Sequence, residues 1–104
     1  MTKTDLTPEQ IDFLLNYTPK DRLFTSSHEI VLIGVKFNLT ELTDMALLLL
    51  RNNVVFFYHD KLKEETLFDA NGRYKGRTEK YDIYMRSMQS VTAVIDRVMH
   101  SDIL

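Results

Sequence analysis

Residues 71–81, NGRYKGRTEKY, hold four positive side chains, Arg73, Lys75, Arg77 and Lys80, against one acid, Glu79, and set them among Tyr74 and Tyr81. Basic groups interleaved with aromatic rings can follow a phosphate backbone and stack on bases. The same groups can steer an acidic protein surface into contact. They also have a purely structural use, because Lys and Arg on an exposed strand edge prevent edge-to-edge pairing. The local charge of about +3 is too small to hold DNA at physiological salt without further cations alongside. The nearest, Lys61, Lys63 and Arg86, are offset by Asp60, Glu64, Glu65 and Asp82. The stretch therefore reads as a structural hairpin first and as a contact for an acidic protein surface second. Arg73, Tyr74, Lys75 and Arg77 are the contact residues.

Other residues with chemical potential lead less far. His28, His59 and His100 are distant from one another in sequence, and the pairs His28-Glu29 and His59-Asp60 could share a metal only if folding joined them. Gly72 and Gly76 lack the following Lys-Ser/Thr of a phosphate-binding loop. Glu64 and Glu65 are adjacent and so point apart, and Glu41 is accounted for as a helix cap. Ser26, Ser27, Ser87 and Ser90 supply hydroxyls, but no spacing ties them to a histidine and an acid. No metal ligand, cofactor or catalytic residue is expected, and the chain does not read as an enzyme. Tyr84, Met85 and Met88, with Met99, line the C-terminal segment. Methionine adapts to irregular surfaces and is common where proteins meet partners. This stripe reads either as core or as a surface for a partner or a second copy.

The elements that position these groups are marked by caps and periodicity. Thr7, Pro8 and Gln10 form a capping box with proline at the first helical position, and Leu6 and Ile11 are spaced as a hydrophobic staple. Ile11, Leu14 and Leu15 predict one apolar stripe, and Thr18-Pro19 predicts the end of that helix. Residues 28–37, HEIVLIGVKF, predict a buried strand. Asn38 and Glu41 form a second capping box, with Phe37 and Leu42 as its staple, opening a helix that ends near Asn52 or Asn53. Residues 54–60, VVFFYHD, predict a second strand, followed by a polar connection over 61–65. Asn71-Gly72 predicts a type I′ hairpin over 66–78 that pairs Ala70 with Arg73, Asp69 with Tyr74 and Phe68 with Lys75. The competing reading makes residues 54–70 one helix, with Asn-Gly at its C-terminus. Tyr84, Met88, Val91, Ile95 and Val98 recur at intervals of four and three, the seam of a packing helix.

Composition sets the class. The chain has 104 residues, 44% apolar and 27% charged, which suits one globular domain spanning 1–104. Its net charge of −2 gives no general pull towards nucleic acid or anionic membranes. The absence of cysteine excludes disulfides and thiolate chemistry. The first ten residues lack the apolar run of a signal peptide, and the greasiest segment is cut by Asp44, Arg51, Asn52 and Asn53, so a cytoplasmic location is expected. Together these features predict an α+β fold: helices packed on a small, largely antiparallel sheet in the order α-β-α-β-β-β-α, with an all-α fold as the alternative. The expected function is a small protein-binding module, an inhibitor or adaptor that modulates a larger partner by surface contact. Self-association through the C-terminal helix is a further expectation. Nucleic-acid or nucleotide binding at the hairpin is the alternative function.

Overall fold

The computed structural model describes residues 3–16, 24–32 and 34–100. Three helices and two small antiparallel sheets make up the described part, an α+β fold as the sequence predicts. Helix α1 (Pro8–Asn16) is followed by a three-stranded sheet, β1 (Phe24–Thr25), β2 (Glu29–Leu32) and β3 (Val35–Asn38). A 3-10 turn (Leu39–Glu41) then leads into the long helix α2 (Asp44–Glu64). The hairpin β4 (Thr66–Phe68) and β5 (Tyr74–Arg77) returns the chain to helix α3 (Glu79–His100). No helix among the described residues is long and apolar enough to cross a membrane.

Local chemistry explains where these elements start. At α1 the capping box forms as expected: the Gln10 N–H donates to Thr7 Oγ1 at 3.1 Å, and the Thr7 N–H donates to Gln10 Oε1 at 2.9 Å. The apolar stripe of α1 is narrower than expected. Leu14 is buried and Phe13 packs against Phe37, while Ile11 and Leu15 face outward. The expected stop at Thr18-Pro19 lies outside the described residues.

The segment 28–37 is a hairpin and not a single strand. Gly34, at φ +83°, turns the chain, and Glu29 pairs with Asn38 and Leu32 with Val35. The cap of α2 also moves. Asn38 makes no side-chain cap bond and opens the 3-10 turn, whereas Thr43 caps α2 by accepting from the Ala46 N–H at 3.2 Å.

The largest correction concerns residues 54–60, which continue α2 instead of forming a strand, and residues 61–64, which are its last turn. Val54, Val55, Phe56, Phe57 and Tyr58 have high strand propensity, but packing overrides it. Leu50, Val54, Tyr58 and Leu62 recur every four residues, and all are buried. Asn53 does not stop the helix because its Nδ2 donates to the Leu49 carbonyl at 2.8 Å. The expected seam of α3 fills the facing side. Val91, Ile95 and Val98 are buried, and Tyr84 and Met88 pack against the same core. Arg51 Nε donates to Asp96 Oδ1 at 3.0 Å and ties the flanks of α2 and α3.

The sheet and the 3-10 turn contribute Ile30, Leu32, Phe37 and Leu39 to one continuous core. The N-terminal segment is strapped to it: the Thr4 N–H donates to the Glu41 carbonyl at 2.8 Å, and the Thr43 N–H donates to the Thr4 carbonyl at 3.0 Å.

Ile95 is fully buried between α2 and α3, so Ile95→Ala should cost about 2–5 kcal/mol in urea denaturation. A loss under about 1 kcal/mol would place the residue outside the core.

Candidate functional site

The hairpin forms over the expected residues, with a longer turn and a different register. Phe68 pairs with Tyr74, Leu67 with Gly76 and Thr66 with Arg77, with a shift between Leu67 and Phe68. Asp69 and Arg73 close a three-residue loop. The Asp69 N–H donates to the Arg73 carbonyl at 2.9 Å, and the Gly72 N–H donates to the Asp69 carbonyl at 3.0 Å. Gly72, at φ +77°, occupies the left-handed position that ends such loops. Asn-Gly thus marks the turn correctly while the turn type differs from I′. The Asp69 carboxylate is taken up inside the turn, where Oδ1 accepts from the Asn71 and Arg73 N–H groups, both at 2.9 Å. Among the described residues it makes no ion pair with Lys75 or Arg73. At the base, Thr78 Oγ1 donates to Glu65 Oε2 at 2.6 Å and Thr66 Oγ1 donates to the Leu62 carbonyl at 2.8 Å.

The predicted contact residues divide into two groups. Arg73, Tyr74, Lys75 and Arg77 are all exposed on the hairpin. Arg77 is engaged locally, 3.5 Å from Asp82 and 4.9 Å from the Tyr81 ring centre. Arg73 and Lys75 make no ion pair among the described residues. Beside them the cross-strand pair Phe68 and Tyr74 is 59% and 66% exposed. The hairpin tip thus offers two rings and two unpaired cations. The second group, on α3, turns inward. The Tyr84 ring lies 6.2 Å from that of Tyr58, Met88 packs on the core and Met85 is half-buried. The apolar area of the seam is largely used within the fold.

A third feature is not visible from local sequence. On the side of α2 away from the core, Met45, Leu48, Leu49 and Phe56 are exposed, Met45 at 74% and Phe56 at 63%. Their spacing places them on one helical face with Asn52 in their midst. Ile11 of α1 adjoins this face, and Leu15, one turn further along α1, extends it. Leu6, Ile11, Met45, Ala46 and Leu49, with Asp5, line a cavity of about 210 Å³ at the N-terminal end of α2. Asp5 is held there because Thr43 Oγ1 donates to its Oδ1 at 2.6 Å. Asp44, the first residue of α2, is exposed at the same end, and Asp12, next to Ile11 in α1, is exposed too. The four consecutive leucines, 47–50, leave little room for a polar face and predict a helix buried on more than one side, but only Leu47 and Leu50 are buried, while Leu48 and Leu49 are exposed because α3 and the sheet do not reach that side.

Among the described residues no three His, Asp or Glu side chains converge as metal ligands. Comparison with protein-family models, curated proteins and solved structures finds no match.

The outward side chains of α2 add little to the monomer's stability, so Met45→Ser and Phe56→Ser should each change it by no more than about 0.5 kcal/mol. Val54→Asp, on the buried side, should abolish the cooperative transition. Thermal melts followed by circular dichroism separate these outcomes. A Phe56→Ser variant that unfolds would show that this face is core.

Proposed function

We propose that this chain is a small protein-binding module that modulates a larger partner by surface contact, through the apolar face of α1 and α2. The exposure of Ile11, Leu15, Met45, Leu48, Leu49 and Phe56 carries this reading. Singly scattered apolar residues are ordinary, but six on adjoining helical faces leave apolar surface in water that a partner would cover. Helix-borne anchors at such spacing suit recognition by a groove or a second helix. Asp5, Asp12 and Asp44 give the contact a charged rim, which favours orientation over raw affinity. The hairpin supplies a second contact, in which Arg73 and Lys75 steer towards an acidic surface and Phe68 and Tyr74 anchor it. A cytoplasmic location fits a chain without cysteine.

The exposed aromatic pair beside Arg73 and Lys75 also supports the second reading, nucleic-acid or nucleotide binding at the hairpin. Two unpaired cations make few phosphate contacts, so this reading ranks below the first.

The test begins with a partner captured on the immobilised chain, identified, purified and titrated by calorimetry. Saturable binding should weaken at least 30-fold on Leu49→Asp, about the cost of removing an interface hot spot. Arg73→Glu/Lys75→Glu should slow association about tenfold at low salt and much less at high salt. Binding unaffected by Leu49→Asp would remove the apolar face from the proposal. A shifted RNA or DNA probe at ~150 mM salt, lost in Arg73→Glu/Lys75→Glu, would move the function to the second reading.

A further inference from the structure

We infer that Asn71 is a site of spontaneous covalent modification: the Gly72 backbone nitrogen displaces its side-chain amide, and hydrolysis of the cyclic imide leaves an aspartate or an isoaspartate at the tip of the basic hairpin. The site stands apart from the proposed function, and only its effect on a partner rests on that reading.

Three features of the turn carry the inference. Asn71 is the one asparagine of the chain that precedes a glycine. A glycine nitrogen has no side chain beside it to hinder attack, and nothing lies within 4 Å of the point where a side chain at Gly72 would begin. Both residues are exposed, and the Asn71 side chain makes no hydrogen bond among the described residues, so it is free to swing onto its own backbone. The attack closes a five-membered ring between neighbouring residues, with the proximity of an intramolecular reaction. The other asparagines lack these features. Asn16, Asn38 and Asn53 engage their Nδ2 groups with Asp12, Glu41 and Leu49. Asn52 lies within α2, where the helix fixes its backbone and that of Asn53.

In the reaction the Gly72 N–H gives its proton to solvent base, and the nitrogen bonds to Asn71 Cγ. The Cγ–Nδ2 bond breaks, and ammonia leaves with a proton from water. Water then adds to either carbonyl of the imide. Opening at Cγ gives aspartate with the normal backbone. Opening at the backbone carbonyl gives isoaspartate, whose main chain runs through Cβ and Cγ. Nothing is oxidised or reduced, and water is the only co-reactant.

The turn sets the rate. The Gly72 N–H donates to the Asp69 carbonyl at 3.0 Å, and Asp69 Oδ1 holds the N–H groups of Asn71 and Arg73. The nucleophile is thus masked until the loop opens, a local event that needs no unfolding of the core. The product adds a second acid close to Asp69 and lowers the local charge of about +3 by one. Isoaspartate also lengthens the loop, so the Asp69 carboxylate no longer meets both amides in the same register. Where Arg73 and Lys75 steer an acidic partner, the modified chain steers it less well.

Tandem mass spectrometry of the folded full chain, incubated at neutral and at mildly alkaline pH, tests the site. The amide-to-acid mass gain should appear at Asn71 before any other asparagine, should speed up with pH and should carry the label from heavy-oxygen water. Asn71→Gln should show no conversion at this position, because its longer side chain closes a ring far less readily. Asp69→Ala, which frees the loop, should convert about fivefold faster than wild type. Asp69→Ser, whose hydroxyl accepts the same bonds more weakly, should fall between the two. A folded chain that keeps Asn71 intact over an interval in which the urea-denatured chain converts it overturns the proposal. Earlier conversion at another asparagine overturns it too, and a rate indifferent to Asp69→Ala removes the control by the turn. If the modified chain associates with its captured partner at the wild-type rate, the site stands and the steering role of the hairpin falls.

Discussion

Helix α2 is apolar round most of its circumference, and α3 covers only one side of it. The rest of the molecule follows from which side that is. Leu50, Val54, Tyr58 and Leu62 form a stripe whose one polar group is the Tyr58 hydroxyl, and they go inward. The opposite side mixes its large apolar residues with Asn52, His59, Asp60 and Lys63, all exposed. Burying that side would strand an amide and two charges away from water, at a cost of several kcal/mol each for the charges. Met45, Leu48, Leu49 and Phe56 are therefore held outward by their polar neighbours on the same face. Their exposure follows from the folding of a single chain, and it is also what gives the chain a surface to offer.

The basic hairpin depends on polar anchoring. An isolated two-stranded hairpin is marginal in water. Here the base is pinned by Thr66 to the end of α2 and by Thr78 to Glu65, while Asp69 gathers the amides of the turn. These bonds let Phe68 and Tyr74 stand in solvent on a defined scaffold, with no core beneath them.

Sequence reasoning reached what local chemistry determines. The cap at Thr7, the seam of α3, the position of the hairpin and the α+β class all follow from neighbours within a few residues. It misread 54–60 because a β-branched and aromatic run is ambiguous at short length. The four-residue recurrence from Leu50 to Leu62 emerges only when the helix is carried across Asn52 and Asn53, two residues that usually stop one. Gly34 does not stand out as a turn in the sequence, since Val31, Leu32 and Ile33 before it and Val35 and Phe37 after it continue one largely apolar pattern. For the site, the exposed cations of the hairpin were legible from composition alone. The face of α1 and α2 was not, because it depends on which side of α2 a helix some forty residues further along covers.

The N-terminal strap has a consequence for the order of assembly. Helix α2, the hairpin and α3 are consecutive in sequence, so their contacts can close stepwise outward from the hairpin, from Thr78 on Glu65 through Tyr84 on Tyr58 to Asp96 on Arg51, each step adding only a short loop, and units of this kind form early. The pairing of Thr4 with Leu42 and the bond from Thr43 to Asp5 join residues nearly forty positions apart and must follow a larger loss of chain entropy. Asp5, Leu6 and Ile11 reach Met45 and Leu49 only through that closure. A partly folded chain thus has a formed helical hairpin but neither the cavity nor its fixed acid, and recognition at this end becomes a report that the whole domain has matured.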